Sequence, residues 1–217
     1  MKLKKIASLM LAGVMAVSML AGCSGKTETK PEDDKNEGSV TGVSASFAAC
    51  LSDDTVKFTD NNSNQSALEK AVKEVEDSAI ANVKAVATVT TGTEPLVSVE
   101  KALEPDNNIG NVGKDAVKKL SKEATYIALY QAPGAMSQSA VLAQVASKLN
   151  DKLTEVTLPE NSLDNSTSVG NQKEYYTYSY NGSVSAEKVS TKNGDNSAWY
   201  VLVTVTVTPT KAELPQG

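Results

Sequence analysis

The chain lacks two residue types on which much protein chemistry depends. It has no histidine, and because all 21 of its basic residues are lysine it has no arginine either. Without histidine there is no Ser-His or Cys-His nucleophile pair, no imidazole metal ligand and no imidazole general base. Without arginine there is no bidentate clamp for carboxylate or phosphate. Catalysis through Lys, Glu, Asp or Tyr stays open, but a non-catalytic function is favoured, and neither a cofactor nor a metal is predicted.

Basic charge is also scarce relative to acidic charge. The 21 lysines face 26 Asp and Glu residues, which gives a formal net charge of −5. Proteins that bind nucleic acid present a basic surface to the phosphate backbone. The sequence therefore predicts no nucleic-acid partner.

The N-terminal segment has the charge order of a secretory signal. Lys2, Lys4 and Lys5 precede an apolar run over residues 6–20, and small residues follow it. As a helix this run would reach ~22 Å, which is short of the ~30 Å hydrocarbon core of a bilayer. We therefore expect residues 1–22 to be a removable signal peptide rather than a permanent membrane span.

The end of this segment, Leu20-Ala21-Gly22-Cys23, resembles the lipobox of bacterial lipoproteins. The resemblance covers only this segment. It implies that a diacylglyceryl group carrying fatty acids such as palmitate is attached to the Cys23 sulfur. It also implies that cleavage between Gly22 and Cys23 makes Cys23 the first residue. The alternative is an ordinary secreted protein that is cut nearby, with Cys23 incidental.

The lipobox resemblance fixes the expected location of the chain. One acyl chain gives only marginal, reversible membrane binding, whereas two hold a protein stably. We therefore expect a chain anchored by lipid to the cell membrane and facing its extracytoplasmic side. Removal of the signal with its three lysines would leave 18 lysines against 26 acidic residues, a formal charge of −8.

Composition predicts four successive parts of the chain. Residues 1–22 are the signal, and residues 23–42 are polar and nearly free of aliphatic side chains, so they are predicted to form a flexible tether. Residues 43–210 form a single domain, and residues 211–217 a tail. Within the domain Cys50 follows Phe47-Ala48-Ala49, so we expect a buried, inert thiol rather than a reactive one.

Periodicity predicts helices and strands in the first part of the domain. Alternation over residues 43–51 and 55–59 indicates a hairpin, and the pair Ser66 and Glu69 indicates a capping box that begins a helix. Residues 83–91 and 125–130 have the alternating or apolar pattern of strands. Residues 112–124 indicate a second helix, and Ser137 is expected to cap a third. Residues 96–103 fit either a short helix or an edge strand.

The C-terminal part reads as β-structure. Val156 and Leu158 suggest a short strand, and residues 160–173 a long loop. Asn181-Gly182 is the strongest two-residue hairpin signal and separates strands at 175–180 and 183–189. The last strand, 199–208, alternates Val with Thr, which indicates one face on a core and one toward water. Tyr200 and Leu202 share the Thr side, so that face is not wholly polar. The predicted fold is α+β, with about three helices packed on one face of a mostly antiparallel sheet that ends in a three-stranded C-terminal meander.

The stretch Asp60-x-Asn62-x-Asn64 matches only the first three ligand positions of a calcium-binding loop. Gln65 stands at the sixth position, where glycine is needed, and Ala71 at the twelfth, where a bidentate glutamate is needed. Asn and Asp favour turns because their side chains bond to the local backbone. We therefore interpret this stretch as a turn and predict no metal site.

A row of tyrosines is the candidate binding face of the domain. Tyr176, Tyr178 and Tyr180 share one face of the predicted strand. In the predicted hairpin they lie opposite the small or polar residues Ser183, Ser185 and Glu187. Such a face, if exposed, could stack on sugar rings or a peptide. The alternative is that the rings belong to the core and only their hydroxyls reach polar partners.

These observations lead to a functional hypothesis with two alternatives. The first hypothesis is a membrane-anchored cell-surface lipoprotein whose domain is a non-catalytic binding module for an envelope glycan or protein. One alternative is an envelope glycan hydrolase, which needs two carboxylates about 5–5.5 Å or about 6.5–9.5 Å apart across the bond that is cut. The other is a small solute-binding lipoprotein, although the chain is short for two lobes around a ligand.

Overall fold

The computed structural model describes residues 42–89, 93–103, 107–109, 114–154, 158–162, 168–169 and 172–213. These residues belong to one compact unit of the chain. The predicted signal peptide and almost all of the predicted tether lie outside the described residues. Gly22 and Cys23 are among the residues outside, so the cleavage and lipid-attachment sites stay predictions.

Helices and strands alternate along the domain. The helices are α1 Val43–Ala48, α2 Asn62–Val72, α3 Asp77–Ala81, α4 Glu94–Ala102, α5 Lys114–Val117 and α6 Gln138–Leu153. The strands are β1 Lys57–Phe58, β2 Ala87–Thr88, β3 Asn107–Asn108, β4 Ala124–Pro133, β5 Ser168–Val169, β6 Gln172–Lys173, β7 Tyr175–Ser190 and β8 Ser197–Ala212.

One mixed sheet of six strands organises the domain. Its order is β1-β7-β8-β4-β2, and β3 also pairs with β4. The long strands β7, β8 and β4 are antiparallel neighbours, whereas the two-residue strands β1 and β3 run parallel to their partners. The predicted α+β class, with a mostly antiparallel sheet and antiparallel strands at the C-terminus, is confirmed.

The predicted hairpin turn at Asn181-Gly182 is wrong. The backbone continues through both residues, which pair with Thr206 and Val205 of β8. Sixteen residues of β7 find partners on β8, and this long-range pairing outweighs the local turn preference of the dipeptide. The chain reverses between β7 and β8 at 191–196, where Gly194 has a φ of 77°.

Both faces of the sheet are covered by helices, whereas the sequence predicted helices on one face only. The valines of β8 (Val201, Val203, Val205 and Val207) pack in one core cluster with α1 and α6. Tyr200 and Leu202 pack on the opposite face with α2, α3 and α4. Full burial of a large apolar side chain stabilises the folded state by about 1.5–3 kcal/mol. Burial of Tyr200 and Leu202 therefore favours helices on this face of the sheet, although its threonines indicated a polar surface.

Several helix boundaries differ from the predictions. Residues 43–48 form α1 rather than a strand, with Val43 and Phe47 four residues apart and both buried. Asn61 caps α2, five residues before the predicted cap at Ser66. Residues 96–103 lie mostly in helix α4, which has Pro95 in its first turn, where proline is compatible with a helix.

The other predicted helices and strands are shorter than expected, confirmed, or outside the described residues. The second predicted helix is reduced to α5, and the strand predicted over 83–91 to β2. The strand at 125–130 and the helix capped by Ser137 are confirmed as β4 and α6. Val156 lies outside the described residues, Leu158 is not in a strand, and the described part of 160–173 includes the β5–β6 pair. Pro209 does not end β8, which continues to Ala212.

Candidate functional site

The described domain contains a single cysteine, and none of its described helices is long and apolar enough to cross a bilayer. That cysteine, Cys50, is half-buried just after α1, and its thiol donates to the Ser46 carbonyl oxygen at 3.4 Å. We expected a buried thiol at this position, and the Cys50 side chain is buried only in part.

The predicted tyrosine row exists, but its rings are in the core. Tyr176, Tyr178 and Tyr180 share one face of β7, and their exposed fractions are 8%, 9% and 5%. Because β7 does not fold back at Asn181-Gly182, their partners in register are Lys211, Pro209 and Val207 of β8. Of the two interpretations that the sequence left open, the core alternative therefore describes these three rings, and they do not form an exposed face.

The tyrosine hydroxyls bond to protein groups. Tyr176 donates to Glu174 Oε2 at 2.5 Å, Tyr178 to the Leu120 carbonyl oxygen at 3.4 Å, and Tyr180 to the Pro159 carbonyl oxygen. The hydrogen bond to Glu174 is the main cause that raises the pKa of Tyr176. Burial is the main cause that raises the pKa values of Tyr178 and Tyr180. All three hydroxyls are thus kept neutral and act as structural donors.

The segment 158–162 covers the edge of β7 beside these tyrosines. Ser162 bonds to both backbone groups of Tyr176, its N–H donating to the carbonyl at 3.0 Å and its Oγ accepting at 2.9 Å. The Tyr178 N–H donates to the Glu160 carbonyl at 2.9 Å. Leu158 is fully buried in the same core cluster. The tyrosine row therefore holds this segment against the sheet.

Two carboxylates meet at a place that the sequence did not reveal. Gln65 and Glu69 lie one turn apart on α2, and Glu187 lies on β7. Gln65 Nε2 is 3.0 Å from Glu69 Oε1 and 3.4 Å from Glu187 Oε2, and it is also 3.4 Å from the Ala186 carbonyl oxygen. The spacing of Gln65 and Glu69 is visible in the sequence. Glu187 follows more than a hundred residues later, and only the strand pairing brings it near.

Glu187 is half-buried, and the carboxylate of Glu69 lies near it. Burial is the largest cause that raises the pKa of Glu187, and the negative charge of Glu69 raises it further. Lys73 opposes this shift. The Gln65 amide donates to both carboxylates. As it stands, the arrangement bridges α2 and β7.

The residues of the rejected calcium pattern have structural partners. The Asp60 carboxylate accepts the backbone N–H of Gly42 at 2.7 Å and that of Ser44 at 3.0 Å. Burial alone would raise its pKa, but these hydrogen bonds together lower it. Asn64 is buried and donates to Ser183 Oγ at 2.9 Å. Among the described residues no group of three or more His, Cys, Asp or Glu side chains is placed to hold a metal ion.

Comparison with known proteins assigns the chain to no family. No family model matches the sequence, and no curated protein or solved structure is significantly similar to it. The function is therefore inferred from the residues and contacts of the chain itself.

Proposed function

We propose that this protein is a bacterial lipoprotein anchored by lipid to the outer side of the cell membrane, with a non-catalytic binding module as its exposed domain. The observation that carries the proposal is Leu20-Ala21-Gly22-Cys23, which directly follows a lysine-led apolar segment. Charge, apolar length and small residues agree in position with a lipoprotein signal.

The non-catalytic part of the proposal is supported by chemistry. The chain has neither histidine nor arginine. The Glu69 and Glu187 carboxylates are separated by the Gln65 amide rather than by open space. The proposed partner is an envelope glycan or protein. Because the rings of Tyr176, Tyr178 and Tyr180 are buried, the binding surface is proposed to lie elsewhere on the domain.

The two cysteines allow a matched test of the anchor. We expect Cys23→Ala to abolish incorporation of labelled fatty acid and to release the chain from the membrane or leave it uncleaved. Cys50→Ala, the control, keeps the lipobox intact and is expected to retain the lipid label and the mature size. The measurement is fatty-acid labelling of cells that express each variant, followed by membrane fractionation. Equal labelling of both variants would show that Cys23 is not the lipid site.

The glycan hydrolase remains the alternative, because Glu69 and Glu187 do converge. Incubation of the full chain with purified envelope glycan, followed by assay of new reducing ends, separates the two functions. The binding module retains the glycan or an envelope protein without cutting it. Release of reducing ends by the wild type but not by Glu187→Gln would establish the hydrolase instead.

A further inference from the structure

The outer edge of β7, the edge away from β8, is closed by partners that are mostly not strands. The described backbone contacts away from β8 fall on even-numbered residues, including Tyr176, Tyr178, Gly182 and Val184. In an antiparallel strand alternate residues direct their backbone groups to opposite edges. A long free edge is a template for another strand, so what closes it decides whether the chain associates with itself.

Ser44 of α1 takes the place of a neighbouring strand at the middle of this edge. Its Oγ accepts the Val184 N–H at 2.9 Å and also donates to the Val184 carbonyl at 3.3 Å. A paired residue in an adjacent strand would satisfy the same two groups. The Thr59 N–H donates to the Gly182 carbonyl at 3.0 Å on one side, and Gln65 reaches the Ala186 carbonyl on the other.

Contacts outside α1 hold Ser44 in position. The Asp60 carboxylate accepts the Gly42 and Ser44 N–H groups at the start of the helix. Phe47, fully buried, packs edge-on against Phe58 of β1 with ring centroids 5.1 Å apart. A helix of six residues is not stable by itself. Loss of these contacts would therefore release α1 as a unit.

We propose that α1 is a releasable guard of the β7 edge, and that the uncovered edge pairs with the same edge of a second copy of this chain. The proposal concerns the described domain and does not depend on the lipid anchor. Beyond the guarded part, Lys188 and Ser190 are exposed and continue the same edge. Antiparallel pairing about a two-fold axis at Ala186 also requires the Gln65 side chain to leave the Ala186 carbonyl. It would place Val184 opposite Lys188 and Ser185 opposite Glu187. No like charges would face each other, so a second copy fits.

Removal of one hydroxyl tests the guard. Ser44→Ala takes away both bonds to Val184, and Ser46→Ala removes an exposed hydroxyl from the same helix as the matched control. The full chain in excess detergent is studied by sedimentation velocity over a range of concentrations. We expect Ser44→Ala to strengthen self-association about tenfold or more and Ser46→Ala to leave it unchanged. A folded Ser44→Ala protein that associates no more strongly than Ser46→Ala overturns the proposal.

A second substitution identifies the edge that pairs. Lys188→Pro removes an N–H of the even-numbered series, and proline on an edge strand blocks strand addition. Ser44→Ala combined with Lys188→Pro is expected to return self-association to the wild-type value. If the double variant associates as strongly as Ser44→Ala alone, the association does not use the β7 edge and the proposal fails.

Hydrogen exchange tests release in the unaltered protein, independently of whether the variants fold. The Val184 N–H depends on Ser44, whereas the N–H of the next residue, Ser185, belongs to the edge that faces β8. If α1 opens locally, Val184 exchanges at least about a hundredfold faster than Ser185 and at the rate of Phe47 in α1. Equal exchange of Val184 and Ser185 would mean that α1 opens only with the whole domain, which contradicts a releasable guard.

Discussion

At the scale of single residues, Gly182 determines how β1 meets β7. A Cβ added there would lie 2.4 Å from Phe58 Cε1 and 2.9 Å from Val56 Cγ1. Glycine within a strand often marks a close approach by another group, and here that group is a phenyl ring. The missing side chain therefore allows Phe58 to lie directly on the strand and to contact Phe47 of α1.

Gly182→Ala tests this packing. We expect a loss of about 1–3 kcal/mol in the free energy of unfolding, because the added methyl group overpacks a filled site. Urea denaturation measures the loss, and Asn181→Ala, at an exposed neighbouring position, is the control. Phe58→Leu in the Gly182→Ala background should recover part of the loss. If Gly182→Ala is as stable as the wild type, Phe58 does not pack on Gly182.

Glu187 gives a prediction about pH. Burial is the main cause that raises the pKa of Glu187 in the folded state. The stability that this group contributes is therefore greatest below the pKa that Glu187 has in the unfolded state. That contribution is lost as pH rises through the folded-state pKa, since the buried carboxyl must then ionise. We expect Glu187→Gln to raise the thermal midpoint relative to the wild type at pH 7, and the gain to shrink toward pH 4.

Thermal unfolding at both pH values measures this difference. Glu123→Gln is a suitable control, because Glu123 is exposed and its carboxylate accepts a hydrogen bond from Thr208 Oγ1. A gain for Glu187→Gln that grows toward acid pH would contradict the raised pKa of Glu187.

At the scale of helices and strands, α6 shows which local sequence signals are sufficient to predict a helix. Ser137 Oγ accepts the Ala140 N–H at 3.3 Å, as expected of an N-cap. The apolar residues Leu142, Val145 and Leu149 recur at helical spacing, and all are buried. The signals of this helix lie within its own sequence, so it could be predicted without knowledge of its partners.

Ser137→Ala tests the cap. We expect the free energy of unfolding to fall by about 1 kcal/mol, the usual cost of removing an N-cap side chain. Ser147→Ala, at an exposed position within the same helix, should be neutral or slightly stabilising because alanine favours helices. Chemical denaturation compares the two variants. Equal stabilities would show that Ser137 does not cap α6 in solution.

Elements that depend on distant partners could not be predicted from local patterns. Asn181-Gly182 has the residues of a turn, but its neighbours pair along β8, which is specified later in the chain. Residues 43–48 are mostly small, so their alternation does not exclude the helical spacing of Val43 and Phe47. Pro209 is tolerated in β8 opposite Tyr178, because this pair does not exchange hydrogen bonds. The proline nitrogen faces away from β7, on the side where the pairing with β4 has already ended at Val207.

At the scale of the whole molecule, the α+β class could be predicted but the covering of the sheet could not. Alternation between valine and threonine in β8 indicated one wet face, yet Tyr200 and Leu202 are buried there under helices. The same limit applies to the candidate site. Tyr176, Tyr178 and Tyr180 were correctly placed on one face, but only the packing of other segments shows that this face is inside.

The anchor is the central claim about the whole molecule, and it rests on a segment of four residues. If Leu20-Ala21-Gly22-Cys23 is a lipobox, the mature chain begins at Cys23 and the domain begins after a polar stretch of about twenty residues. Every proposed partner of the domain would then be met at the membrane surface. The chemical state of one N-terminal residue decides this claim.

Mass spectrometry of the N-terminal peptide, from protein isolated from membranes of the cells that make it, tests the claim most directly. We expect a peptide that begins at Cys23 and carries the mass of a diacylglyceryl group on its sulfur. An N-terminal peptide that begins at another residue, or that contains an unmodified Cys23, would contradict the proposed lipoprotein.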